Sequence, residues 1–212
     1  MTTNSASTNK SSRRIPAIML GSLVAIILAS TLLFRASVNG QVDLPALLGT
    51  KNNGVLIKPP RAIAELPLTL ASGEKFEFSK QPKHWNLLIP VLAHCDNQCQ
   101  QNLYLTRQIH IALGKDSDRV QRYLIATQWP LDAEFETLLQ QHPNVQIVRV
   151  DEAAFAAYFA QSNLQPARDQ QYLLLDPAGW LMMYYNPQHD GKAVIKDLKF
   201  LLSNSHEQEE KN

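Results

Sequence analysis

Cys95 and Cys99 are the only two cysteines in the chain, and their types and spacing define the chemistry to look for. They follow an apolar run, Trp85 to Leu92, and open a helical pattern that ends near Gly114. A sulfur delivered to a helix start lies near unpaired backbone N–H groups and the positive end of the helix dipole, which favours thiolate. The four-residue step also puts both sulfurs on one helix face, close enough to bridge or to share a soft metal ion. Cys95 is the expected attacking sulfur and Cys99 the resolving one, although the neighbouring Asp96 opposes thiolate formation. His94 is the residue at hand to complete a metal set, because neutral imidazole with two thiolates suits copper or zinc. A fixed structural disulfide is the third reading. It closes a very small loop, and so removes little freedom from the unfolded chain.

The elements that must present these sulfurs can be read along the chain. The Trp85 run suits a buried strand, and Leu103, Ile109, Ala112 and Leu113 form one face of the helix after it. Arg119–Gln128 reads as a strand, Leu131–Gln141 as a helix between prolines, and Val145–Val150 as a strand. A helix opens at Asp151-Glu152 and carries Phe155, Tyr158 and Phe159. Tyr172–Leu175 and Trp180–Tyr185 flank the turn Asp176-Pro177-Ala178-Gly179 as a hairpin, and a last helix covers about Lys192–Leu202. Upstream, Leu66–Phe78 alternates around Ser72-Gly73 as a first hairpin. Strands alternating with helices require an α/β fold with a mostly parallel sheet covered on both faces, with the late hairpin as an antiparallel edge. This is the element order of a thioredoxin-like domain with peroxiredoxin-type additions.

Residues 15–34 carry no charge and, as a helix, span roughly 30 Å, the thickness of a bilayer core. They predict a single transmembrane helix, longer than the apolar region of a cleaved signal peptide. Four of the 20 basic residues, Lys10, Arg13, Arg14 and Arg35, lie in a first segment without acids, and the remainder is slightly acidic. That balance argues against a nucleic-acid surface. It also places the N-terminus in the cytoplasm and sends the rest across the membrane. The expected organisation is a disordered cytoplasmic tail (1–14), the membrane helix (15–34), a linker (35–60), the thioredoxin-like domain (61–204) and a polar tail (205–212). His84, His110, His142, His189 and His206 read as surface residues. Arg107, Arg119 and Arg122 read as a solvated helix and strand edge. No phosphate-cradling glycine loop, zinc-protease motif or hydrolase nucleophile elbow is present.

The membrane helix, the linker, Cys-x-x-x-Cys after an apolar strand, Tyr172-Leu173-Leu174-Leu175-Asp176-Pro177-Ala178-Gly179 and Ile195-Lys196-Asp197-Leu198-Lys199-Phe200-Leu201-Leu202 together resemble the SCO/SenC group of cytochrome oxidase assembly proteins. Gly54–Pro60, Arg107–Lys115 and Asp118–Arg122 are similar to anchored proteins found beside oxidase assembly factors in proteobacteria. The resemblance implies a factor of the bacterial inner membrane with a periplasmic domain. Such a factor assists oxidase biogenesis by thiol-disulfide exchange, as an oxidoreductase, or by transient copper handling, and its partner is an oxidase subunit or another assembly factor. It equally admits a non-catalytic interaction module with a structural disulfide, or a copper carrier using His94 with both cysteines. In that group two cysteines and a distant histidine bind one copper ion. Here no histidine lies between Pro143 and Gln188, and Gln100 stands where the family has proline after the second cysteine.

Overall fold

The computed structural model describes residues 14–39, 51–91, 94–160, 162, 164 and 171–205. The N-terminal tail, most of the linker, Leu92-Ala93, the stretch 165–170 and the C-terminal tail after 205 lie outside them. The chain forms two compact units, Met1–Lys51 and Asn52–Asn212.

The first unit contains α1 (Arg14–Val38). Its stretch Ile15–Ala36 has a mean hydropathy of 2.5 and exposes its large apolar side chains, so its length and composition suffice to cross a membrane. Among the described residues it is the only such helix.

The second unit is a six-stranded sheet in the order β1-β6-β5-β2-β3-β4. Its strands are β1 (Val55–Ala62), β2 (Trp85–Val91), β3 (Val120–Ala126), β4 (Val145–Arg149), β5 (Tyr172–Leu175) and β6 (Trp180–Tyr185). The helices are α2 (Asn97–Ala112), α3 (Ala133–Leu139), α4 (Glu152–Phe159) and α5 (Gly191–Asn204). Every residue of β2 is buried, as expected of a central strand flanked on both sides and covered on both faces. One apolar layer joins α2, α3 and α5 through Cys99, Leu103, Ile109, Phe135, Val194, Leu198 and Leu202. The other packs Phe155, Tyr158 and Phe159 of α4 with Ile63, Leu66, Leu68 and Phe76 from the segment before β2.

Three expectations need correction. Val55–Ala62 belongs to the sheet and not to a spacer. Its apolar start Val55-Leu56-Ile57 pairs with β6, and Pro59-Pro60 is accommodated because β1 is an edge strand whose register shifts between Leu56 and Arg61. The late hairpin is not the edge: β5 lies beside β2, and β1 covers β6, so only β2, β3 and β4 run parallel. The predicted first hairpin reduces to a single bridge, Thr69 with Lys75, and Thr69 also pairs with Arg149.

The start of the second unit is held by a buried carboxylate. Asp197, 4% exposed on α5, accepts hydrogen bonds from the backbone N–H of Asn53 and Gly54 at 2.8–2.9 Å, from Asn53 Nδ2 at 2.6 Å and from the Tyr185 hydroxyl at 3.1 Å. Burial, then the Asp197 charge, pushes the Tyr185 phenol far above its ordinary pKa, so it remains a donor. Gly54 has no room for a side chain: a Cβ there would lie 2.6 Å from the Tyr185 ring and 2.9 Å from Met183 Sδ. Gly54→Ala is therefore expected to cost about 1–3 kcal/mol by overpacking, read as a lower urea midpoint.

Candidate functional site

β2 ends at Val91 and the chain reaches the cysteines just before α2. Asp96 is the N-cap, and its carboxylate accepts the Cys99 N–H at 2.8 Å. This makes Cys99, not Cys95, the sulfur within the first helical turn, with Cys95 one residue outside the cap. The placement follows from residue type: aspartate at the third position of His94-Cys95-Asp96-Asn97 is a preferred cap, and its side chain satisfies a first-turn N–H.

The two cysteines form a disulfide, with Cα atoms 5.1 Å apart. Cys99 is 1% exposed and packs in the apolar layer between α2 and the sheet. Cys95 is half-buried and lines a cleft against α3, together with His94, Gln100, Asp132, Glu134 and Leu138. One sulfur therefore faces a cleft while its partner is sealed behind it. Asp132 caps α3 through the Phe135 N–H at 2.7 Å. The cleft thus carries the carboxylates Asp132 and Glu134 beside the cap Asp96, and negative charge there disfavours thiolate at Cys95.

His94 is exposed at the mouth of this cleft. Among the described residues, no three His, Cys, Asp or Glu side chains gather as a metal-binding group. Residues 168–171, where the three-ligand pattern of the resemblance would call for its histidine, contain none, and all but Gln171 lie outside the described residues. The residue immediately before β5 is Gln171.

The residues that sequence reasoning missed are Arg122 on β3 and His142 in the turn before β4. Arg122, 1% exposed, is not on a solvated strand edge. Its Nη2 donates to the Leu103 carbonyl at 2.8 Å and to Thr106 Oγ1 at 3.0 Å. No carboxylate pairs with it among the described residues, and burial, then Arg107, lowers its pKa to about 10. His142 is likewise not a surface residue: it is 6% exposed, and its Nδ1 is buried without a hydrogen-bond partner. The signal for Arg122 was its alternation with Val120 and Leu124, which puts all three on one sheet face. For His142, three residues before β4, no comparable signal exists.

Burial, with Arg122 and then Arg107 adding, holds the His142 imidazole below the usual histidine range. A histidine whose folded pKa is depressed contributes stability that is complete above its unfolded value, about 6.5, and lost as pH falls through the folded value. Stability measured by urea unfolding is therefore expected to fall on the acid side of about pH 6.5, and less steeply in His142→Gln. Equal slopes in the two proteins would contradict this assignment.

A mixed sheet with a disulfide at the end of its central strand, before a capped helix, defines a thioredoxin-like protein. The chain belongs to the family described as transmembrane-like, thioredoxin-like, C-terminal domain, whose model matches residues 85–205. Among solved structures it is similar to apo Sco1 from Thermus thermophilus, with 18% identity over 72% of this chain and 98% of that one and a TM-score of 0.53. It is also similar to yeast Sco1 with copper bound, with 13% identity over 74% and 96% of the two chains and a TM-score of 0.54. At these identities the likeness is one of fold. No curated protein matches the chain.

Proposed function

We propose that the protein is a membrane-anchored, periplasmic thioredoxin-like factor that assists cytochrome oxidase biogenesis by thiol-disulfide exchange through Cys95 and Cys99. The observation that carries the reading is the asymmetry of the pair, one sulfur facing a cleft and the other buried behind it. A thiolate of a reduced dithiol partner attacks Cys95 Sγ. The Cys95–Cys99 bond breaks, and Cys99 leaves as a thiolate in the first turn of α2, where the helix dipole favours negative charge. The partner's second thiolate then attacks the partner's own sulfur in the mixed disulfide and releases Cys95. Two electrons have passed to this protein, and the partner holds the new disulfide. The anchor reading rests on α1, and the periplasmic side on Lys10, Arg13 and Arg14 preceding its apolar stretch.

The resemblance also implies copper, for which the two sulfurs, once reduced, are suitable soft donors. The described donors fall short of a three-ligand set, so copper enters no step here. Anaerobic Cu(I) titration of the reduced protein is expected to give the same affinity with and without His94→Ala. Stoichiometric binding lost in both His94→Ala and Cys95→Ser would instead support a copper carrier.

The functional test is oxidase activity and oxidase copper content in cells carrying Cys95→Ser/Cys99→Ser. Exchange predicts a deficit in assembled oxidase. Normal assembly would leave the alternative, a non-catalytic interaction module with a fixed bridge.

A further inference from the structure

A cavity of about 410 Å³ lies at the end of β2 opposite the cysteines, between the sheet and the segment 62–84. Asn86 of β2 and Leu175 of β5 are partners in register, so their side chains stand on the same face of the sheet, and both line the cavity. Most of the remaining wall is apolar and partly aromatic, with Leu66, Phe76, Phe78 and Trp180. Asn86 is the exception. It is 6% exposed, its Nδ2 donates to the His84 carbonyl at 2.8 Å, and its Oδ1 accepts no hydrogen bond among the described residues. Oδ1 is not sealed, because the enclosed side-chain atoms without a partner are His84 Nδ1, His142 Nδ1, Arg149 Nε and the Tyr172 hydroxyl. A water there would find one strong acceptor among apolar walls, fewer partners than a well-held water needs. A molecule that brings a donor on an apolar body satisfies Oδ1 and covers the walls as well. The charges at the mouth occur mostly in pairs, Glu77 with Lys75 at 2.8 Å and Lys80 at 3.3 Å, and Glu65 with Arg61 at 2.6 Å. Of the charged lining residues, one cation, Lys83, and one anion, Asp176, are left, a balance that attracts no charged ligand.

We propose that this cavity binds a small, uncharged aromatic alcohol of the phenol class, with its ring against Phe76, Phe78 and Trp180 and its O–H donating to Asn86 Oδ1. The ring follows from the aromatic walls, and the hydroxyl from an acceptor that lacks a donor. The lack of charge follows from the paired mouth. The volume lies within the range of small-molecule sites, roughly 300–1,000 Å³. Asn86 is the second residue of β2, and roughly 17 Å of strand separates it from Val91, beyond which the cysteines lie. A ligand here does not touch the sulfurs, so the site stands whether or not Cys95–Cys99 exchanges.

The test titrates the full-length protein in an uncharged detergent with 2-naphthol and with 2-methoxynaphthalene, which keeps the rings and lacks the donor. The same detergent without protein is the blank. Saturable binding of 2-naphthol is expected, roughly fivefold tighter than that of the methoxy compound, the worth of one neutral hydrogen bond. Of the three tryptophan indole N–H signals in the nuclear magnetic resonance spectrum, only that of Trp180 should shift, since Trp180 lines the cavity and Trp85 and Trp129 do not. In Asn86→Leu, which keeps the side-chain volume and removes the acceptor, the preference should fall to unity. No saturable binding above the blank, equal binding of the two compounds, or a shift at Trp85 or Trp129 with none at Trp180 overturns the site. A preference unchanged in a folded Asn86→Leu overturns the role of Asn86. Should that variant not fold, the comparison of the two compounds and the indole signals in the unsubstituted protein still decide the proposal.

Discussion

Cys95→Ser loses exchange with a dithiol partner entirely, down to the rate of the uncatalysed reaction, whereas Cys99→Ser accumulates a stable mixed disulfide through Cys95. The difference follows from access. Cys95 lines a cleft, and Cys99 is 1% exposed beneath it, so an incoming sulfur reaches Cys95 alone. A serine hydroxyl forms no disulfide, and removing the reachable sulfur therefore leaves nothing to exchange. Removing the sealed one leaves Cys95 able to attack an oxidised partner but takes away the thiolate that would resolve the adduct. Non-reducing gels with an added oxidised thiol reagent, followed by mass measurement, check both outcomes. Adduct formation at Cys99 in Cys95→Ser would contradict the assignment of roles.

Asp197→Ala is expected to lower the stability of the second unit by about 3 kcal/mol, because several buried or half-buried donors lose one shared acceptor. For a domain of this size that is a fall in Tm of roughly 6–12 °C. The donors belong to Asn53, Gly54 and Tyr185, so the carboxylate ties the point where the chain enters the sheet to α5. Asp197→Asn keeps one oxygen acceptor and is expected to cost less. Calorimetry on the full-length protein provides the check. A loss below about 1 kcal/mol, the size of a single ordinary hydrogen bond, would show that the clamp is dispensable.

Much of the fold was legible because it is written in periodicity. The apolar run Trp85-Asn86-Leu87-Leu88-Ile89-Pro90-Val91, interrupted only by Asn86, marked a fully buried strand, and the spacing of Val194, Leu198 and Leu202 marked the inner face of α5. The Asp-Pro-Ala-Gly turn marked the β5–β6 hairpin, and all three elements are found there. The edge strand β1 was not legible, since Lys58-Pro59-Pro60 signals a break. Its pairing with β6 is a long-range contact that the local pattern does not record. The order of the strands was hidden for the same reason: hairpin geometry specifies that β5 pairs with β6 but not which of them meets β2.

At the site, the sulfurs were legible from spacing. Asp96 is a charge opposing thiolate and also the residue that sets the helix start, and so decides which cysteine enters the first turn. His142 and Arg122 escaped because polar residues carry a strong prior for the surface. Only tertiary packing buries them: Arg122 is covered by α2, whose Leu103 and Thr106 accept its hydrogen bonds. Buried polar groups without partners are visible in a structure and silent in a sequence.

The measurement that bears most directly on the central claim is the reduction potential of Cys95–Cys99 in the full-length protein, by equilibration with redox buffers. Asp96, Asp132 and Glu134 around the cleft disfavour the thiolate and so hold the couple well below the strongly oxidising range near about −120 mV. The half-buried, reachable Cys95 marks a labile bridge and not a sealed one, which places the couple above about −300 mV. The account predicts a value between these limits, close to that of thioredoxin at about −270 mV. A value below about −300 mV, where glutathione-type buffers leave a bridge intact, would make Cys95–Cys99 a structural staple and contradict the account.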